Sequence, residues 1–125
     1  MIKPLLMPEL EINPYTIESL RALRTKSGEI LLCEVIRNYF ETVPAQIAEM
    51  KGAVETKNMV GIFESAHKLK ANFVTVGFKS LYKECQILED AASKRLSLDY
   101  QSRFDLLESS IEQSFDILLI ELEKT

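Results

Sequence analysis

The chain contains one histidine, His67, and a lysine, Lys70, three residues after it. A neutral imidazole carries a nucleophilic lone pair near neutral pH and needs no dedicated base. An ammonium one helical turn away shares its surface and can hold developing phosphoryl charge. The pair therefore points to nucleophilic attack on a phosphoryl group, with a partner supplying the rest of the site. Competing chemistries lack parts. Glu64-Ser-Ala-His67 has the Glu-x-x-His spacing of carboxylate-bridged di-metal bundles, but those need a second such motif and there is no second histidine. Zinc needs three or four ligands, and Cys33, Cys85 and His67 have no ligand spacing to one another. No metal site is expected. Ser65 is two residues from His67 and points elsewhere on a helix, so no nucleophile–base pair forms there. No glycine-rich phosphate loop or Walker pattern is present, and the chain is not expected to bind ATP itself.

The element that must position His67 is a helix. Met59, Ile62, Ala66, Leu69, Phe73 and Val76 alternate at spacings of three and four, the signature of a core-facing stripe. His67 lies roughly 130° from the centre of that stripe. Val60, Phe63 and Val74 fall within roughly 40° of it, with Ala71 about as close on the other side. Glu64, Ser65, Lys68, Asn72 and Thr75 make up a narrow polar arc. The helix thus has an apolar face for a core and a second face on which one imidazole stands among apolar side chains. An exposed apolar patch of this kind calls for a partner. The expected docking face is Val60, Phe63, Glu64, Lys68, Ala71 and Val74.

Composition sets the bounds. A length of 125 residues gives one domain, large enough for a core without disulfides or metals. A net charge of -4 argues against nucleic-acid binding, which needs a basic stripe. No apolar run is long enough to cross a bilayer. Met1 to Pro8 is short, apolar and interrupted by two prolines, and reads as part of an N-terminal arm over 1–12 rather than a signal peptide. Cys33 and Cys85 are expected to be free thiols in a reducing cytoplasm, with Cys85 acting as a small hydrophobe on a helix stripe.

The remaining chain, 13–125, reads as helices. Asn13-Pro14 is a cap followed by proline at the first helical position, opening a short helix that fades at Thr25. Ser27-Gly28 starts a second, with Ile30, Leu31, Val35, Ile36, Tyr39 and Phe40 apolar. Thr42-Val43-Pro44 interrupts the pattern. The piece from Pro44, with Ile47, Met50 and Val54 inward, either continues that helix through a kink or forms its own. Asn58 caps the histidine helix and Gly77 ends it in a left-handed position. Phe78, Leu81, Cys85, Leu88 and Ala92 mark the next helix, from near Lys79. Phe104, Leu107, Ile111, Phe115, Leu118 and Leu122 mark a last one from near Leu98 or Asp99. The short joint at Gly77 makes the histidine helix and its successor antiparallel. The expected fold is all-α, an antiparallel four-helix bundle with additional short N-terminal helices.

Ala66-His67-Lys68-Leu69-Lys70, followed by Gly77, Leu81, Cys85 and Leu88-Glu89, resembles the signature of histidine-containing phosphotransfer (HPt) domains of two-component phosphorelays. Phe40 with Val43-Pro44 resembles that family's junction before the histidine helix. The similarity runs from about Ile17 to Ala92. It implies a four-helix bundle with an exposed phospho-accepting His67 and a phosphoryl-stabilising Lys70. It also implies receiver domains of response regulators or hybrid kinases as partners, with Mg²⁺ on the receiver and no cofactor on this chain. Two positions depart from the family: Ala71 stands where glycine usually follows the lysine, and Asn72-Phe73 replaces smaller residues, which predicts tighter helix packing. With no dimerisation device or ATP motif in view, the expectation is a monomeric cytoplasmic carrier, or a module cut from a hybrid kinase, that takes a phosphoryl group from a receiver aspartate or hybrid kinase and passes it to another receiver aspartate. The alternative is a non-catalytic helical adaptor that binds a signalling partner through the same face.

Overall fold

The computed structural model describes residues 10–125. Its helices are α1 (Pro14–Ala22), α2 (Leu31–Glu55), α3 (Met59–Val76), α4 (Lys79–Ser93) and α5 (Tyr100–Glu123). The expected arm over 1–12 falls mostly outside the described residues; of its end, Leu10 is buried in the core and Ile12 packs against it. The architecture is the expected all-α bundle. α3 lies between α2 and α4, and α5 closes the bundle against both.

Local chemistry accounts for most helix ends. The Asn13 side chain accepts from the Tyr15 and Thr16 amides, with Pro14 at the first helical position. Asn58 accepts from the Gly61 amide, and Asp99 accepts from the Ser102 amide. Gly77 takes φ +92° at the end of α3, and the Phe78 amide reaches back to the Phe73 carbonyl. A Cβ on Gly77 would also come within 3.1 Å of the Cβ atoms of Asn13 and Thr16, where the start of α1 seats on the end of α3. The Asn13 amide donates to the Gly77 carbonyl there, at 2.9 Å.

The N-terminal third differs from the expectation. α1 stops at Ala22 rather than Thr25, and Ser27-Gly28 lies in a tight turn, not at a helix start. Arg24 and Ile30 bridge across that turn, with Gly28 at φ +91°. α2 then begins at Leu31 and runs unbroken through Pro44. Proline removes one helical N–H and leaves the Phe40 carbonyl without its usual partner. Pro44 is exposed, and its neighbours Val43 and Met50 are fully buried, so packing on both sides carries the helix past the lost bond. Among the described residues, one short helix precedes the four long ones where short helices in the plural were expected.

The core contains the predicted stripes. Ile62, Ala66, Leu69, Phe73 and Val76 of α3 are buried, as are Leu81, Cys85, Leu88 and Ala92 of α4. Phe104, Leu107, Ile111 and Leu118 come in from α5. Tyr39 sits at the centre, its ring within 6.5 Å of those of Phe40, Phe73, Phe78 and Phe115. Its hydroxyl pairs with Ser114 Oγ at 2.6 Å, so the buried phenol is satisfied. α2 and α3 pack tightly at Gly61, where an added Cβ would come 2.9 Å from that of Ala53.

Candidate functional site

α3 and α4 form an antiparallel hairpin, and its two facing surfaces build the site. His67 is on the outer side of α3 with its side chain 66% exposed. Its Nδ1 lies 2.9 Å from Oε2 of Glu89 on α4. Lys70 Nζ, one turn further along α3, donates to Oε1 of the same carboxylate, also at 2.9 Å. Glu89 thus holds both groups at once, one on each oxygen. Its side chain is 17% exposed and that of Lys70 19%, so the clamp is half-buried while the imidazole stands out.

This arrangement fixes the chemistry of the ring. An ionised carboxylate only accepts hydrogen bonds, so Nδ1 carries a hydrogen, and in the neutral ring Nε2 is then the nitrogen with the lone pair. Among the described residues Nε2 has no hydrogen-bond partner. Burial pushes the Glu89 carboxyl up, but the hydrogen bonds from Lys70 and His67 outweigh it and hold the group below its ordinary value. The bond to Glu89 in turn raises Lys70, ahead of the opposing effect of burial. Both members stay charged around neutrality. Phe63, one turn before His67, lies nearly parallel to the imidazole, 14° between planes and 6.3 Å between centres.

Each residue singled out in the sequence can be placed. His67 and Lys70 share the α4-facing flank of α3. Val60, Phe63, Glu64, Lys68, Ala71 and Val74 are all exposed on α3. The polar arc is less uniform than its composition suggested. Ser65 is buried and bonds back to the Gly61 carbonyl at 2.7 Å. The Asn72 amide donates to Gln46 Oε1 at 2.8 Å and Thr42 Oγ1 at 3.2 Å, tying α3 to α2, while Phe73 is fully buried. Lys68 pairs with Glu49 at 3.3 Å on the same edge. Cys85 is fully buried, which pushes its thiol far up and keeps it protonated; Cys33 is also free.

Glu89 is the residue that sequence reasoning did not assign a role. It stood in the Leu88-Glu89 pair of the signature, but its part in the site depends on the hairpin's register. The available signal was the antiparallel joint at Gly77, which brings Glu89, twelve residues beyond the glycine, opposite His67, ten before it. Among the described residues no group of three or more His, Cys, Asp or Glu side chains is arranged to hold a metal ion. No helix there is long and apolar enough to cross a membrane.

The bundle holds one imidazole outward with its Nδ1 anchored on the neighbouring helix. Residues 34–117, more than half of the chain, match the family model of the Hpt domain, and the chain belongs to that family. Comparison with curated proteins yields no match. Hpt domains are phosphocarriers of two-component systems that interact with receiver domains, rather than catalysts.

Proposed function

We propose that His67 is the phospho-acceptor of a phosphorelay carrier, taking a phosphoryl group from a receiver aspartate, or a hybrid kinase, and passing it to another receiver aspartate. The observation that carries this reading is the exposed imidazole whose Nδ1 is anchored on Glu89, leaving Nε2 free for attack. Nε2 attacks the phosphorus of an aspartyl phosphate; the Nε2–P bond forms as the P–O bond to the aspartate breaks, and the carboxylate leaves. No proton is lost. The Nδ1–H stays on the ring, and the positive charge that develops there faces Glu89 across 2.9 Å. Lys70 stands on the same carboxylate and supplies a cation for the phosphoryl oxygens. Transfer onward to a second receiver is the same step reversed.

The receiver is expected to bring Mg²⁺ and its acceptor aspartate. This chain brings the nucleophile, the lysine and a docking face of Val60, Phe63, Glu64, Lys68, Ala71 and Val74. The exposure of apolar Val60, Phe63 and Val74 beside the imidazole supports that face. Ala71 is exposed too, so its methyl group adds to the surface a receiver would meet. The carrier is taken to be a cytoplasmic monomer whose bundle domain spans 13–125.

Incubation with a phosphorylated receiver tests the reading. Acid-labile, alkali-stable label on the wild type and none on His67→Gln is the expected result. Binding of the receiver with no label on either protein would leave only an adaptor.

A further inference from the structure

Lys70 is held on two sides, and only one of them is Glu89. Its Nζ also stands over the ring of Tyr82, 5.8 Å from the ring centre, on the turn of α4 nearest Gly77. Tyr82, Cys85 and Glu89 are spaced three and four apart on α4 and share the face turned to α3. Cys85 is fully buried, and Tyr82 and Glu89 flank it along the helix axis. The lysine ammonium is therefore seated between a carboxylate and an aromatic face. A flexible four-carbon stem otherwise gives an ammonium many rotamers.

We propose that Tyr82 is a positioning residue of the transfer site, acting through Lys70. The aromatic face attracts the ammonium electrostatically and half-buries it, so the lysine stays on the α4 side, next to His67. When a phosphoryl group reaches Nε2, the lysine has only to pivot off Glu89 toward the new charge while the ring keeps its stem in place. Tyr82 acts here through the lysine alone. The phenol oxygen has no part in this; the ring face does the work, so phenylalanine serves as well as tyrosine.

This inference rests on the carrier reading, and one experiment separates the two. Single-turnover transfer from a phosphorylated receiver is measured for wild type, Tyr82→Leu, Tyr82→Phe, Lys70→Ala and the double variant Tyr82→Leu/Lys70→Ala, with helix content checked by circular dichroism. Tyr82→Leu is expected to slow transfer about three-fold, the scale of a half-exposed cation–π contact, and Tyr82→Phe to restore it. In the Lys70→Ala background Tyr82→Leu is expected to have no further effect, because the group it acts on is gone. A wild-type rate for Tyr82→Leu overturns the proposal. So does the same slowing with and without Lys70, or a Tyr82→Phe variant as slow as Tyr82→Leu. Absence of label on the wild type would instead overturn the carrier reading itself.

Discussion

His67 and Glu89, twenty-two residues apart in the chain, meet across the α3–α4 hairpin with Nδ1 and Oε2 2.9 Å apart. The contact commits one ring nitrogen to α4, while the imidazole as a whole stays exposed. The same carboxylate holds Lys70, so imidazole and ammonium share one anchor.

Removing that anchor should show in the transfer rate. Glu89→Gln keeps an acceptor for Nδ1–H but removes the charge that faces the ring and Lys70. It is expected to slow transfer from a phosphorylated receiver about ten-fold, and Glu89→Ala more, the scale on which a metal-ligating histidine suffers when its orienting partner is lost. Rates equal to wild type in both variants would show that the ring needs no orienting carboxylate.

Lys70→Ala is expected to slow phosphoryl transfer while leaving the bundle folded. The lysine stem is half-buried at the surface and not part of the core, so the loss of stability should stay within about 1 kcal/mol. Stopped-flow transfer and urea unfolding measure the two effects separately; an unchanged rate would remove Lys70 from the mechanism.

The Glu89 clamp also predicts a pH dependence of stability. The folded state holds this carboxyl below its ordinary value, so its contribution is fully present above the unfolded value, about 4.3, and is lost as pH falls through the folded one. The stability advantage of wild type over Glu89→Gln should therefore shrink on acidification below about pH 4.3. Thermal unfolding of the two proteins at a series of pH values checks the sign.

Two glycines on either side of the α2–α3 turn should respond in opposite ways. Gly61→Ala places a methyl group 2.9 Å from Ala53 Cβ, and is expected to destabilise the protein by about 1–3 kcal/mol. Gly52, inside α2, has open space around its Cα, and Gly52→Ala is expected to stabilise by about 0.5–1 kcal/mol. Ala53→Gly should recover part of the Gly61→Ala loss. Denaturant midpoints decide each case.

Within the core, Tyr39 and Ser114 give an asymmetric pair. Ser114 Oγ also lies 2.5 Å from the Ile111 carbonyl, so Tyr39→Phe leaves no polar atom stranded and should cost about 1 kcal/mol. Ser114→Ala strands the buried phenol and should cost more, about 1–3 kcal/mol. Equal costs would mean that the hydroxyl finds another partner.

The sequence by itself determined the helices, their buried stripes and most of their ends. Period-3.6 hydrophobicity and the side-chain chemistry of Asn13, Asn58, Asp99 and Gly77 are local signals that read the same in any fold. It also placed His67 off the core stripe, because angle around a helix follows from residue number alone. Tertiary structure decided what local signals cannot carry. Proline weighed against the continuity of α2, but burial of Val43 and Met50 on either side of Pro44 outweighed one lost hydrogen bond. Ser65 and Asn72 stood in the narrow polar arc, but one is buried and the other is bonded to α2, because their surroundings depend on where the neighbouring helix crosses. The partnership of His67, Lys70 and Glu89 depends on the register of one helix against another, a distance in space that no spacing along the chain records.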